Sequence, residues 1–231
     1  MTGDERRVEI AKERGYDDLA PIDAAFRRGE ITQEQWHQRV LAIVEPAYLS
    51  ATTDRMGSGH SGTAEEWEAS RGLIMNAVDR SGAFLDVGCA NGLLMESVAR
   101  WSLGRGLRVE PYGVEISARL VEVARARYPQ WRKRIWTANA ATWLPPRRFD
   151  FVRTGLEYVP EGRGSAYVRH LLRHVVAPGG RLIVGKNNED RGSSAIAESL
   201  RAWGCSNVRE LRRRHSHPGV EMSVVWADRP T

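Results

Sequence analysis

The sequence predicts a doubly wound α/β domain with a helical segment in front of it, and three observations lead there. An apolar run, Ala83-Phe84-Leu85-Asp86-Val87, breaks at the glycine-bounded turn Gly88-Cys89-Ala90-Asn91-Gly92. It passes at once into the apolar-periodic Leu93, Leu94, Val98 and Trp101, which reads as buried strand, tight turn and helix. Beyond it, strand-like and helix-like stretches alternate, the pattern of a mostly parallel sheet covered on both faces. Last, Ser216-His217-Pro218-Gly219 joins two β-rich runs and signals an antiparallel hairpin.

In chain order, Asp17-Asp18-Leu19-Ala20-Pro21 can start a short helix with Ile22, Ala25 and Phe26 on one face, ending at Gly29. Thr32 with Gln35 forms a capping box for a second helix, whose stripe of Trp36, Val40, Ile43 and Val44 needs a partner surface. Pro46 is expected to kink or end it. The glycine- and serine-rich residues 50–62 read either as a linker or as a lid over an active site. A second capping box, Thr63 with Glu66, opens a helix bearing Trp67, Leu73, Ile74 and Val78 and leads to the strand at Ala83.

Further strands are expected over residues 108–115, 134–138, 149–152 and 181–184, then 208–214 and 222–227 for the hairpin. Helices are expected over 118–128, capped by Ser117, over 165–176, ending at Pro178-Gly179-Gly180, and over 194–203. This divides the chain into a helical N-terminal cap with its glycine-rich loop, residues 1–62, and an α/β core, residues 63–231.

Composition narrows the function classes. Of 231 residues, 42% are hydrophobic and 27% charged, ordinary for a soluble globular protein. No stretch approaches a membrane span, and no apolar run follows Met1-Thr2-Gly3-Asp4-Glu5-Arg6-Arg7, so neither a membrane anchor nor a signal peptide is expected. Cys89 and Cys205 offer no disulfide framework or metal spacing, which fits a reducing, cytoplasmic setting. His170 and His174 lie four apart on a helix but have no third ligand in view, so no metal is expected. His215 and His217 are read as turn chemistry. The net charge of +5 comes almost wholly from scattered arginines, Lys12, Lys133 and Lys186 being the only lysines. One cluster stands out, Arg209, Arg212, Arg213 and Arg214, read as a solvated strand face ahead of an RNA contact.

The turn at Gly88 also discriminates between ligands. A dinucleotide fingerprint G-x-G-x-x-G starting there needs glycine where Ala90 and Leu93 stand, so a bound pyrophosphate is not expected. Asp86-Val87-Gly88-Cys89-Ala90-Asn91-Gly92 instead resembles motif I, D-x-G-x-G-x-G, of the class I S-adenosylmethionine-dependent methyltransferases, with Ala90 in place of the middle glycine. Gly113-Val114-Glu115-Ile116-Ser117 resembles the family's ribose-binding strand end, and Ala138-Asn139-Ala140 its adenine-binding turn. Phe149-Asp150-Phe151-Val152-Arg153 and the run Leu171 to Leu182 complete the set in the right order. The resemblance covers about residues 64 to 228 and implies a Rossmann-like, seven-stranded sheet with a terminal antiparallel hairpin.

It also implies S-adenosylmethionine as cofactor. By resemblance Asp86, Gly88, Cys89, Ala90, Asn91 and Gly92 surround its methionine part, Glu115 and Ile116 its ribose, and Asn139 and Ala140 its adenine, with Thr154 closing the set. Asn139 stands where the family often has Asp, and can still accept from an amino group. The segment Leu156-Glu157-Tyr158-Val159-Pro160 resembles the Leu-Glu-His-Val-Pro run of small-molecule methyltransferases, with Tyr158 in the His position. The Asp/Asn-Pro-Pro-aromatic run of enzymes that methylate base amines is missing, and Pro145-Pro146 reads as a plain turn. Thr154, Glu157 and Tyr158 are therefore expected on the acceptor side, and Glu157, Tyr158 and His60 are the candidate bases. A small-molecule acceptor is favoured. An RNA methyltransferase and a non-catalytic module with the same fold are the alternatives.

Overall fold

The computed structural model describes residues 18–185, 194–214 and 221–230. The expected preamble is present. Residues 18–27 form α1, and α2 follows over Gln33–Leu49. The Thr32 box is made in both directions, Gln35 N donating to Thr32 Oγ1 (3.2 Å) and Thr32 N to Gln35 Oε1 (2.8 Å). Pro46 does not end the helix, which runs three residues further to Leu49. Ile22, Ala25, Ile31 and Trp36 make a small core of their own between α1 and α2. A 3₁₀ turn at Met56–Ser58 and the Thr63-capped α3, Ala64–Arg71, lead into the sheet.

That sheet has seven strands: β1 Gly82–Val87, β2 Val109–Glu115, β3 Ile135–Thr137, β4 Phe149–Thr154, β5 Val176–Gly185, β6 Arg209–Arg214 and β7 Glu221–Asp228. Their order is β3-β2-β1-β4-β5-β7-β6, with β1 to β5 parallel and β7 antiparallel to both β5 and β6. The helices between them are α4 Leu93–Leu103, α5 Ala118–Arg127, α6 Gly164–His170 and α7 Ser194–Ala202. The expected helix over 165–176 is shorter, giving way to a wide turn at Leu171–Val175. Strand β5 starts earlier than expected, at Val176, and runs through Pro178-Gly179-Gly180 with a register shift against β4. The hairpin residues 215–220 lie outside the described residues.

Central strands alternate between two cores. Leu85 and Val87 of β1 join Val152, Leu182 and Val184 on one face, while Phe84 joins Phe151 and Ile183 on the other. Burial on both faces explains why β1 reads as a nearly continuous apolar run. The connection from β3 to β4 carries no helix, and the sheet there is covered by Trp136 stacked on Tyr112 (5.9 Å), with Arg134 and Arg147 over the Tyr112 ring. Strand order reverses between β1 and β4, so their carboxyl ends form the crevice where open α/β sheets hold ligands. No helix among the described residues is long and apolar enough to cross a membrane.

Candidate active site

At that crevice β1 ends and the chain turns through Gly88 (φ 71°), Ala90 (φ 46°) and Gly92 (φ 80°) before α4. Ala90 holds the left-handed conformation at an expected cost of about 1 kcal/mol. Its return is a bond, since Ala90 N donates to Glu115 Oε2 (3.0 Å) at the end of β2. Glu115 Oε1 accepts from Ser117 N (3.0 Å), and Gly88 N donates to the Val114 carbonyl (2.8 Å). Burial pushes the Glu115 carboxyl upward, and the amides of Ser117, Ala90 and Ile116 pull it back. Each carboxylate oxygen keeps a lone pair beyond these bonds.

Asp86 sits opposite Arg153 in the β1–β4 register, and Arg153 Nη1 donates to Asp86 Oδ1 at 3.3 Å. Both are buried, at 1% and 4% exposure, so each charge depends on the other. Burial pushes the Asp86 carboxyl up to about 6 against the pull of Arg153. The same Nη1 donates to the Tyr158 hydroxyl (3.2 Å). The Tyr158 ring lies directly over Gly88: a methyl group placed there would stand 2.8 Å from Cζ. Burial pushes the phenol well above its ordinary range despite Arg153, so Tyr158 is a neutral hydroxyl at physiological pH, poorly suited to act as a base. What remains beside Asp86, Gly88 and Tyr158, with Tyr48, Trp67 and Arg71, is a cavity of about 30 Å³.

The other sequence-predicted residues fall in defined places. Asn91 Oδ1 accepts from Leu93 N (3.1 Å), and its Nδ2 donates to the Asp54 carbonyl (2.7 Å), so residues 50–62 are docked on the turn. Asp54 also pairs with Arg127 of α5. Cys89 is buried and its thiol is pushed far up by burial, which makes it inert. Asn139 Oδ1 accepts from Ala141 N (3.0 Å), and Ala140 is half-buried against the sheet core. Ile116 is half-buried between the two polar residues Glu115 and Ser117. Thr154 bonds the Tyr167 hydroxyl (2.6 Å) and the Gly155 carbonyl (3.2 Å), a fully buried structural pair. Neither His60 nor Glu157 lines the cavity at Gly88. The His60 ring meets Trp67 edge-on at 5.6 Å, while exposed Glu157 folds back over Gly155. His170 Nε2 meets the Trp143 carbonyl (2.9 Å), and the His174 ring lies 5.1 Å from the His170 ring.

The cap supplies residues that the sequence did not single out. Helix α2 lies across the strand ends: His37 reaches Asn139 and Tyr158, Glu45 accepts from Ser117 Oγ and pairs with Arg119, and Tyr48 lines the cavity at Gly88. Only their tertiary partners mark them, because the apolar stripe of α2 points to Trp36 and Val40 instead. A larger cavity of about 490 Å³ opens between the start of α2, residues 139–142 and α6, lined by Gln33, His37, Asn139, Thr142, Arg163 and Tyr167 among others.

Residues 84–180 match the family model of a methyltransferase domain. A search of curated protein sequences gave no match. Among solved structures, the 1,6-didemethyltoxoflavin-N1-methyltransferase of Burkholderia thailandensis, with 1,6-didemethyltoxoflavin and S-adenosylhomocysteine bound, aligns over 87% of this chain and 92% of its own, at 17% identity and TM-score 0.62. The magnesium protoporphyrin IX methyltransferase of Synechocystis PCC 6803 with bound S-adenosylmethionine aligns over 81% and 96%, at 20% identity and TM-score 0.53. The [4+2]-cyclase SpnF aligns over 75% and 84%, at 19% identity and TM-score 0.53, so the same fold also serves another chemistry. Strand order, the turn after β1 and the family match agree: residues 84–180 match a methyltransferase domain, set in a seven-stranded, Rossmann-like methyltransferase fold.

Proposed function

We propose that this protein methylates a small-molecule acceptor. The observation that carries the reading is the position of α2, which lies across the strand ends through His37, Glu45 and Tyr48 and narrows the approach to the turn at Gly88, an arrangement suited to a small ligand rather than to folded RNA. Two structural neighbours named for small-molecule acceptors support it.

The donor set fits the cofactor. Glu115 offers two carboxylate oxygens with spare lone pairs where ribose hydroxyls need paired acceptors, and Asn139 with Ala140 would meet adenine. The turn Gly88–Gly92 brings backbone, free of a Cβ at Gly88, to the methionine side, with Asp86 behind it. In this structure Tyr158 covers Gly88, so its ring must turn aside for a ligand to reach that backbone.

S-adenosylmethionine, when bound, supplies an already activated, electrophilic methyl group. The chain's own task is then to orient the acceptor and exclude water. Tyr158 would present a neutral hydroxyl, held by Arg153, as a hydrogen-bond donor to the acceptor, and Arg153 would keep Asp86 ionised. Exposed Glu157 is the proposed route for an acceptor proton to solvent.

The test is release of S-adenosylhomocysteine from S-adenosylmethionine with fractionated small metabolites and, separately, with total RNA. Turnover with a metabolite fraction supports the reading, and labelled methyl appearing in RNA alone contradicts it. Exposed Arg209, Arg212 and Arg213 on edge strand β6 favour the RNA alternative; binding that weakens steeply with salt and fails when these arginines are neutralised is its signature.

A further inference from the structure

We infer that His37 is a positioning residue that links the adenine turn to Tyr158, so that ligand binding at Asn139 sets the segment lying over Gly88. The inference rests on the proposed cofactor placement.

The His37 ring is buried at 7% exposure and clamped edge-on by Trp36 at 5.1 Å and 88°. Trp36 is itself fixed in the α1–α2 core and donates Nε1–H to Asp23 (2.7 Å). Asn139 Oδ1 accepts from Ala141 N, which orients the amide and leaves its NH₂ facing His37 Nδ1 at 3.2 Å. In the tautomer with its proton on Nε2, Nδ1 accepts from the Asn139 amide. Nε2 lies 3.0 Å from the Tyr158 carbonyl, which can only accept, so the bond is complete. Nδ1 also lies 2.8 Å from the Gln33 carbonyl one turn back, which only accepts and so bonds the ring in the other tautomer; Gln33 and Asn139 compete for Nδ1.

In the Nε2–H tautomer Asn139 donates to His37, and His37 donates to the backbone of the residue whose ring covers Gly88. The ring also lines the 490 Å³ cavity, so an occupant there touches the same imidazole. Two parts of the site far apart in sequence share one side chain from the cap. A ligand that moves Asn139 changes the hold on Tyr158, and by linkage the position of Tyr158 changes the ligand's affinity.

The test uses the full chain with S-adenosylhomocysteine as probe, comparing wild type, His37→Asn and His37→Gln by calorimetry and by hydrogen exchange over residues 154–160. The shorter Asn amide keeps the Nδ1-side contacts but falls short of the Tyr158 carbonyl, whereas the Gln amide reaches it. The inference expects ligand to slow exchange over 154–160 in wild type and in His37→Gln. In His37→Asn it expects that response to be lost and affinity to fall about tenfold, within the usual range of intersite coupling. Exchange at residues 88–92 should still respond in all three. A ligand response over 154–160 retained in His37→Asn, or lost equally in His37→Gln, overturns the inference. Wild type that binds no probe overturns the cofactor placement, and the inference with it.

Discussion

Replacing Gly88 by alanine tests whether the turn after β1 is built as described. The residue sits at φ 71°, where an L side chain costs about 1–2 kcal/mol. The added methyl would also stand 2.8 Å from Tyr158 Cζ and 2.9 Å from Cε2 and the hydroxyl oxygen. Good carbon contacts lie at about 3.5–4.0 Å, so the Tyr158 ring must move by the better part of an ångström. Moving it weakens the 3.2 Å bond from Arg153, worth about 0.5–1.5 kcal/mol. Together the loss is about 1.5–3.5 kcal/mol, or a fall in melting temperature of about 3–14 °C for a chain this size. Thermal unfolding of wild type, Gly88→Ala, Tyr158→Ala and the double variant closes a cycle that separates the two costs. With the ring gone, Gly88→Ala should cost only the backbone part, about 1–2 kcal/mol. Equal costs with and without Tyr158, or an unchanged melting temperature in Gly88→Ala, would refute the contact.

Other expectations follow from the same geometry. Asp86 is held more strongly protonated in the folded chain, up to about 6 against an ordinary 3.8, so its contribution to stability is greatest at low pH and declines as pH rises from 3.8 to about 6. Asp86→Asn should flatten that part of a melting-temperature profile, and an unchanged profile would count against the burial. Because only the ionised carboxylate is a full acceptor, affinity for S-adenosylhomocysteine should rise as pH passes through about 6. Tyr167→Phe removes the buried bond to Thr154 and should cost about 1–3 kcal/mol, read by denaturant unfolding. Asn91→Ala frees the Asp54 carbonyl and should raise hydrogen exchange over residues 50–62, whereas unchanged protection there would mean the loop is held by other contacts.

Much of the fold was legible because its signals are local. The two capping boxes, the strand-turn-helix at Ala83–Leu94 and the alternation after it depend on residues close together in sequence, and the structure forms each of them. Pro46 does not end α2, because a proline inside a helix removes one N–H without removing the bonds after it; α2 keeps its cap contacts beyond it, Ser50 N donating to the Pro46 carbonyl (3.0 Å). The start of β5 was misplaced because Pro178-Gly179-Gly180 is a turn by composition, yet a register shift carries it along β4.

At the site, Glu115 could be read from a motif, but its amide partners on the turn could not. His37, Glu45 and Tyr48 gave no signal at all, since each acquires its role by reaching another segment: His37 is 121 residues from Tyr158. Arg153 was visible only as the residue after strand four. Its pairing with Asp86 is a consequence of β1–β4 register, which no local pattern encodes.

The central claim is that this turn and Glu115 hold S-adenosylmethionine, and calorimetric titration with S-adenosylmethionine and S-adenosylhomocysteine tests it most directly. Wild type is set beside Glu115→Gln, which keeps the shape of the side chain but replaces one acceptor oxygen with a donor. The account predicts saturable, one-to-one binding of both ligands to wild type and a loss of at least about tenfold in the variant, the size of one charged hydrogen bond. Wild type that binds neither ligand, or a variant that binds as tightly as wild type, would contradict it.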